Sequence, residues 1–289
     1  MTEIVNNFGG LPAEHSQPAN SRIVIVPVPY DLTSTWMKRA DKGPEAIIRA
    51  SAAVELYDIE TDSQVHLHGI STDEPAVQGD LLPEKMVEAV RGKVAGHLAN
   101  NKFVVLVGGE HSVSIGAIQA HAGQFPGLSV LQLDAHADTR GEYEGSRYNH
   151  ACVMARAREL CPIVQVGIRS MDVSEKPALD RSRVFFAENI YRGTSWIDDV
   201  VEKLTDPVYI TIDLDVFDPS IMPSTGTPEP GGLLWYDVLA LMRAVCRRRK
   251  VVGFDVVEMC PVENQWASEF LAAKLIFKIL TYRFGSPTA

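Results

Sequence analysis

The 289-residue chain has few cysteines, little positive charge and no long apolar run. Its four cysteines, Cys152, Cys161, Cys246 and Cys260, include no CxxC spacing. That excludes a zinc knuckle or a disulfide scaffold and suits free thiols in a reducing cytoplasm. No stretch approaches the ~18 consecutive apolar residues of a membrane span. The start, MTEIVNNFGG, has neither the basic n-region nor the apolar h-region of a secretory signal. Lys and Arg number 27 against 37 Asp and Glu, a net charge of −10. Such a chain lacks the electrostatic footprint of a nucleic-acid or anionic-membrane binder. It suits cationic small molecules or metal ions, although acidity is also an ordinary route to solubility. The basic run Arg247-Arg248-Arg249-Lys250 ends a helix, where cations complement the macrodipole, and is not read as a nucleic-acid contact.

What the chain does have is a hydrophobic fraction of 46% with 22% charged residues, enough to bury a core. Short runs rich in Val and Ile recur at Ile23–Val28, Val65–Ile70, Phe103–Val107, Leu128–Leu133, Ile163–Val166, Val184–Phe186, Val208–Ile212 and Val251–Val257. Nearly continuous apolar runs punctuated by Gly, Pro or Asp read as strands covered on both faces. Helical periodicity lies between them, from Pro83 through Leu98 and over Ser112–His121, Ala151–Leu160, Ser195–Leu204, Trp235–Cys246 and Glu269–Tyr282. Strands alternating with helices predict an α/β fold, a parallel sheet with helices on both faces. With no linker, repeat or low-complexity tract, residues 1–289 read as one domain, the polar first 20 residues forming a surface arm.

Ligands of open parallel sheets bind at the carboxyl ends of strands. Three of the apolar runs end in polar groups there: Gly108-Gly109-Glu110-His111-Ser112, Asp134-Ala135-His136-Ala137-Asp138, and Asp213-Leu214-Asp215 leading into Val216-Phe217-Asp218-Pro219. In the last two, ionisable side chains fall at i, i+2 and, in the 134–138 segment, i+4, on one side of an extended chain. Solvent-facing positions of an ordinary strand are a poor alternative, because each carboxylate ends a run that reads as buried. Converging carboxylates repel unless a cation neutralises them. Asp134, Asp138, Asp213 and Asp215 carry four negative charges, which two divalent ions balance, with His111 and His136 binding neutral. Carboxylate-rich mixed coordination favours Mn²⁺, although affinity order alone favours Zn²⁺, Ni²⁺ or Cu²⁺. Two ions about 3.5–4 Å apart can share a water and make it nucleophilic near neutral pH, which points to metal-assisted hydrolysis.

Further candidates flank this set. His150, beyond a turn-like loop over residues 140–149, is either a proton carrier or a helix-start packing residue. Glu258 again ends a strand run, as a site residue or a surface one. Thr225-Gly226-Thr227-Pro228-Glu229-Pro230-Gly231-Gly232 is too stiff and glycine-rich for a linker and reads as a pocket rim. His66 and His68 form an HxH pair without an acidic neighbour, and His15, His97 and His121 stand outside any constellation. Gly108-Gly109 is no phosphate loop, since no GKS or GKT follows.

Together these segments resemble the ureohydrolase family, which contains arginase and agmatinase. The matches are Gly-Gly-Glu-His-Ser at 108–112, Asp-Ala-His-Ala-Asp at 134–138, Asp-Leu-Asp-Val-Phe-Asp-Pro at 213–219, Thr-Gly-Thr-Pro at 225–228 and Asp-Val-Val-Glu at 255–258. Upstream, Pro29-Tyr30-Asp31 with Thr33-Ser34 and Gly43-Pro44-Glu45-Ala46-Ile47 extend the likeness, which covers Val26 to Tyr282. The resemblance implies a three-layer α/β/α fold with an eight-stranded parallel sheet, and trimers or hexamers. It implies two Mn²⁺ per chain held by His111, Asp134, His136, Asp138, Asp213 and Asp215. It also implies that Asp138 passes a proton to the leaving amine, that His150 shuttles protons and that Glu258 holds a guanidinium, for which a carboxylate is the natural bidentate partner.

Within that family the loop after the second motif sets the expected substrate. Glu142 and Glu144 there would repel a carboxylate and attract a terminal ammonium, whereas Arg140 and Arg147 cut the other way. Asn149-His150-Ala151 and Gly167-Ile168-Arg169-Ser170 look closer to agmatinase, with Asn149 and Asp172 as candidate substrate contacts, Asp172 for a distal ammonium. Trp36-Met37-Lys38-Arg39-Ala40-Asp41-Lys42 departs from the Arg-Pro-Gly-type segment of many relatives. The leading expectation is therefore agmatinase, converting agmatine and water into putrescine and urea within polyamine biosynthesis. The alternatives are a ureohydrolase of aminopropylagmatine, guanidinobutyrate or arginine and, in other classes, a zinc deacetylase or a non-catalytic guanidine-binding paralogue.

Overall fold

The computed structural model describes residues 7–79, 81–193 and 195–285. Eight strands form one all-parallel sheet in the order β2-β1-β3-β8-β7-β4-β5-β6. They are β1 (Ile23–Val28), β2 (Ile70–Thr72), β3 (Phe103–Gly108), β4 (Ser129–Leu133), β5 (Ile163–Ile168), β6 (Val184–Phe186), β7 (Val208–Asp213) and β8 (Val251–Val257). The helices are α1 (Ala13–Ser16), α2 (Gly43–Ser51), α3 (Pro83–Ala99), α4 (Val113–Gln124), α5 (Val153–Ala157), α6 (Ala187–Arg192), α7 (Trp196–Lys203), α8 (Trp235–Arg248) and α9 (Trp266–Phe284).

Strand alternation explains why both sides of the sheet are covered. Ile23, Ile25, Val105, Val107, Leu131, Ile210 and Ile212 point to one face, where they pack with α2, α7, α8 and α9. Val24, Val26, Val104, Leu106 and Val130 point to the other, against α3, α4 and α5. Two apolar cores separated by a sheet apolar on both faces give the three-layer α/β/α architecture that the alternation of runs implies.

Several local expectations shift. The run Val65–Ile70 is not one strand: residues 65–68 form a 3₁₀ turn, and the short edge strand β2 begins only after Gly69. Gly69 has φ +72°, and a Cβ there would lie 2.4 Å from the Asn20 carbonyl oxygen, so the chain turns where no other residue fits. The helix expected over 151–160 is the shorter α5, preceded by a 3₁₀ turn at His150–Cys152. Of the expected surface arm, residues 1–6 lie outside the described residues. Residues 12–20 are mostly exposed, but Phe8 and Leu11 are buried, and Phe8 stacks on Phe277 at 5.4 Å. Among the described residues no helix is long and apolar enough to cross a membrane, and all four cysteines are free.

His121, which had no constellation in the sequence, is buried on α4 against Tyr209, with ring centroids 4.4 Å apart. Its Nδ1 pairs with the Ala117 carbonyl at 2.8 Å, and Nε2 meets the backbone of Gly253, where a Cβ would stand 2.3 Å away. Burial lowers its pKa from 6.5 to about 4. The unfolded chain therefore takes up a proton that the folded one refuses, so stability present above pH 6.5 is lost as pH falls towards 4. A shift of that size corresponds to about 3 kcal/mol. Urea denaturation between pH 7 and 4.5 should show the wild type losing roughly 2–3 kcal/mol more than His121→Phe; parallel profiles would show that His121 does not govern this acid lability.

Candidate metal centre

The site is built at the carboxyl ends of four strands that are neighbours in the sheet, β3, β8, β7 and β4. β3 leads into His111, β4 into Asp134, His136 and Asp138, β7 into Asp213 and Asp215, and β8 into Glu258. Sequence positions 147 residues apart thereby meet: the His111 amide donates to Glu258 Oε1 at 2.7 Å. The approach depends on Gly109, whose Cβ would lie 1.9 Å from the Tyr30 carbonyl oxygen.

All six candidate ligands come together. His111 Nδ1 stands 3.1 Å from Asp134 Oδ2, 3.0 Å from Asp138 Oδ2 and 3.5 Å from Asp213 Oδ2. His136 Nδ1 is 2.8 Å from Asp215 Oδ2 and 3.7 Å from Asp134 Oδ1. Ligand atoms of His111, Asp134 and Asp213 form one trio within 4.8 Å of one another, and those of Asp134, His136 and Asp215 form a second. Asp134 belongs to both. Asp138 is in neither, but it faces His111 and lines the same cavity. Among the described residues no other trio of His, Cys, Asp or Glu does this, so His66 and His68 stay outside any such cluster.

The carboxylates are aimed by hydrogen bonds. Asp134 accepts from the His136 amide at 2.5 Å and from Gln132 Nε2 at 2.6 Å. Asp213 accepts from the Asp215 amide at 2.8 Å, and Asp215 from the Ala135 amide at 2.9 Å. His111 Nε2 lies 2.9 Å from Thr211 Oγ1. The Thr211 hydroxyl has one proton, and Asp255 Oδ1 at 2.6 Å takes it in preference to Ser114 Oγ at 3.4 Å. Thr211 is left to accept from His111 Nε2–H, so Nδ1 is the nitrogen that faces the carboxylates and would bind a metal. No carboxylate oxygen there is in hydrogen-bonding geometry, and Nδ1 has no hydrogen-bond partner.

Removing these groups from water leaves negative charge in excess. Burial and the Asp134 charge push Asp138 up to about 7. Burial, then Asp215 and Asp134, push Asp213 well above the usual carboxylate range. Burial alone would lower both imidazoles, but Asp215 and Asp134 hold His136 at about 12. Asp134 and Asp138 likewise hold His111 well above its ordinary value. Burial opposes ionisation of Asp134 too, yet His111 and His136 bring its pKa down. Carboxylates placed this way need positive charge beside them. A buried imidazole nitrogen facing carboxylates without a hydrogen-bond partner, with oxygen and nitrogen donors and no thiolate, fits a pair of divalent ions.

The remaining residues surround a cavity of about 170 Å³ lined by His111, His136, Asp138, His150, Asp213 and Glu258. Asp138 and Glu258 both have left-handed backbones, φ +52° and +65°, a strain that concentrates at working sites. Burial, then the Glu110 charge, raise the Glu258 pKa well above its usual value. The His150 amide donates to Thr33 Oγ1 at 3.0 Å, and its Nδ1 lies 3.3 Å from the same oxygen. Burial lowers its pKa to about 4. Asp172 lines the mouth but is exposed, and its Oδ1 caps the turn at Val173–Ala178. Asn149 is buried away from the cavity lining and caps the turn at His150–Cys152.

The expected acidic rim is placed differently. Glu142 lines a neighbouring depression with Arg158 and Ser174, and Glu144 stands exposed beside a tight Tyr143–Ser146 bridge. Arg140 lines the cavity instead, 4.2 Å over the Tyr143 ring and 3.7 Å from Glu175. Gln132, Thr211, Asp255, Thr33 and Glu175 were not singled out from the sequence. Only Asp255 and Thr33 had a signal, as members of motifs already noted.

The family model described as "Arginase family" matches residues 21–281. The chain is 38% identical to the N(1)-aminopropylagmatine ureohydrolase of Synechocystis sp., covering 91% of this chain and 90% of that one. It is 40% identical to the protein of the same name from Thermus thermophilus, covering 89% and 88%. Among solved structures, the agmatine ureohydrolase of Thermoplasma volcanium superposes with a TM-score of 0.84 at 29% identity, covering 98% and 95%.

Its contact with His111 Nε2 makes Thr211 a test of the cluster. Thr211→Val should keep the thermal transition but weaken manganese binding by about 10–100-fold, and Thr211→Ser should restore it. Unchanged affinity in the valine variant, followed by calorimetric titration, would show that Thr211 does not orient His111.

Proposed function

The chain belongs to the arginase family, a ureohydrolase acting on guanidino C–N bonds, and from that premise we propose that its substrate is a linear cationic guanidine, N(1)-aminopropylagmatine first and agmatine second. The sequence reading put agmatine first. The order is reversed because the relatives at 38–40% identity carry the longer substrate in their names, while Glu142 and Glu144, the acidic groups expected to attract a terminal ammonium, are not among the residues that line the cavity.

The observation that carries the reading is Glu258. Its carboxylate lies at the cavity wall beside the metal cluster, with one oxygen anchored by the His111 amide. A planar guanidinium pairs with such a carboxylate through parallel N–H donors, which sets its carbon towards the cluster. We assign His111, Asp134, His136, Asp138, Asp213 and Asp215 to two manganese ions. When bound, these ions would supply a water made nucleophilic near neutral pH and would neutralise the carboxylates. His150, neutral at physiological pH, exchanges protons between the cavity and solvent. Asp138 delivers a proton to the departing amine nitrogen, so that urea and the amine leave uncharged at the broken bond; agmatine would give putrescine. Asp172 at the mouth offers its exposed carboxylate to a distal ammonium group, while buried Glu175 accepts from the Thr139 and Asp172 amides and fixes that rim. Asn149 positions His150 through its cap and does not touch substrate.

We further place the protein in the cytoplasm on account of its four free thiols, and as a homo-oligomer of the trimer or hexamer kind. Support for assembly comes from an apolar face between α8 and α9, where Tyr57, Ile59, Tyr236 and Phe270 stand exposed around a depression of about 820 Å³.

Urea release from N(1)-aminopropylagmatine, agmatine, guanidinobutyrate and arginine, assayed with Mn²⁺, Ni²⁺ and Zn²⁺ separately, tests the assignment. The longest cationic guanidine should give the highest kcat/KM, and arginine the lowest with every metal; preference for arginine or guanidinobutyrate would overturn it. Glu258→Gln should cost about 10²–10³-fold in kcat/KM, and a variant as active as wild type would remove Glu258 from guanidinium recognition.

A further inference from the structure

At the opposite, amino-terminal edge of the sheet the charge is reversed. Arg22, Lys102 and Lys250 immediately precede β1, β3 and β8, three strands adjacent in the sheet. Ile23 and Phe103 are in register. Neighbouring strands lie about 4.8 Å apart, so the three cations form a row along the edge. Arg283, from the end of α9, joins them around a depression of about 180 Å³. The basic run therefore divides: Arg248 pairs with Asp198, Arg249 with the Val201 carbonyl and Asp206, and Lys250 turns to this pocket.

Among the described residues none of these four cations has a carboxylate partner within 4.0 Å, in a chain whose net charge is −10. Asp206 is near, but it accepts from the Lys250 amide and faces Arg249. The two guanidiniums are held in place by one aromatic ring, with Arg22 Cζ 4.8 Å and Arg283 Cζ 5.0 Å from the Phe284 centroid. Arg283 Nε donates to the Val251 carbonyl at 2.7 Å, leaving its terminal nitrogens free. The Arg22 guanidinium donates no hydrogen bond to a described residue. Lys102 is fixed by the Pro18 and Ser21 carbonyls. Burial first, and to a smaller extent the Arg22 charge, lower the Arg283 pKa. Preorganised forks facing a small space recognise tetrahedral oxyanions bidentately, and the space is too small for a drug-sized ligand.

The geometry points to a second binding site, at the end of the sheet opposite the metal cluster, for one phosphate group, either free phosphate or the terminal phosphoryl group of a small metabolite. The site is independent of the ureohydrolase reaction. Its ligand would tie α9 to the starts of β1, β3 and β8.

Metal-loaded protein should be titrated calorimetrically with inorganic phosphate, glycerol 3-phosphate, citrate and a single-stranded oligonucleotide at constant ionic strength. Saturable binding of phosphate or the monoester is expected, and the tighter of the two identifies the source. The R22Q/K250Q variant should bind at least about tenfold more weakly, since two charge-assisted donors are lost, and should keep its urea-forming activity. Absence of saturable phosphate binding would overturn the site. So would unchanged binding by the variant, which would place phosphate on the metal centre. Binding of citrate or the oligonucleotide in preference to both phosphates would overturn the phosphate assignment.

Discussion

Four aspartates buried beside two histidines cannot all remain ionised in a low-dielectric interior without positive charge among them. Much of the molecule's local geometry serves to hold them there. Four adjacent parallel strands bring the residues to one edge. Gly109 allows backbones to touch where a side chain would not fit. Left-handed residues at Asp138 and Glu258 turn carboxylates back over the cluster, and the Asp138 strain is offset because its carbonyl accepts the Met154 and Ala155 amides at the start of α5. The raised pKa values of Asp138, Asp213 and both histidines express how strongly such a cage favours positive charge.

Much of this was legible in the sequence because parallel-sheet chemistry concentrates at strand ends. The continuous apolar runs marked seven of the eight strands nearly residue for residue, and the polar groups that follow three of them are the cluster. The eighth strand was misplaced because residues 65–68 are apolar enough to mimic one, while Gly69, which sets the turn, carries no periodicity. The supporting polar residues were hidden for a different reason. Thr211 and Asp255 sit inside runs that read as apolar, and only the pairing of β7 with β8 sets them opposite each other. Gln132 and Gln165 are likewise joined by the register of β4 and β5, where Gln165 donates to Gln132 at 2.6 Å. Strand order is not written locally, so neither pair could be found before the fold. The acidic loop failed as a guide because net loop charge does not say which side chains face inward: Arg140 does, while Glu142 and Glu144 do not.

Charge is partitioned along the strands. Carboxylates gather where the strands end and unpaired cations where they begin, so one sheet separates a cation-seeking site from an anion-seeking one. The mixed rim of the cavity, with Arg140 stacked on Tyr143 beside Glu175 and Asp172, leaves guanidinium recognition to half-buried Glu258 and distal selection to the mouth. Selectivity among guanidines is therefore separable from the chemistry at the cluster.

The most direct test is the metal stoichiometry of protein saturated with Mn²⁺, desalted and measured by elemental analysis together with electron paramagnetic resonance. A cage that is stable because cations balance its carboxylates should retain two manganese ions per chain with the spectrum of a coupled pair. Retention of one ion or none, or a spectrum of isolated manganese only, would contradict it.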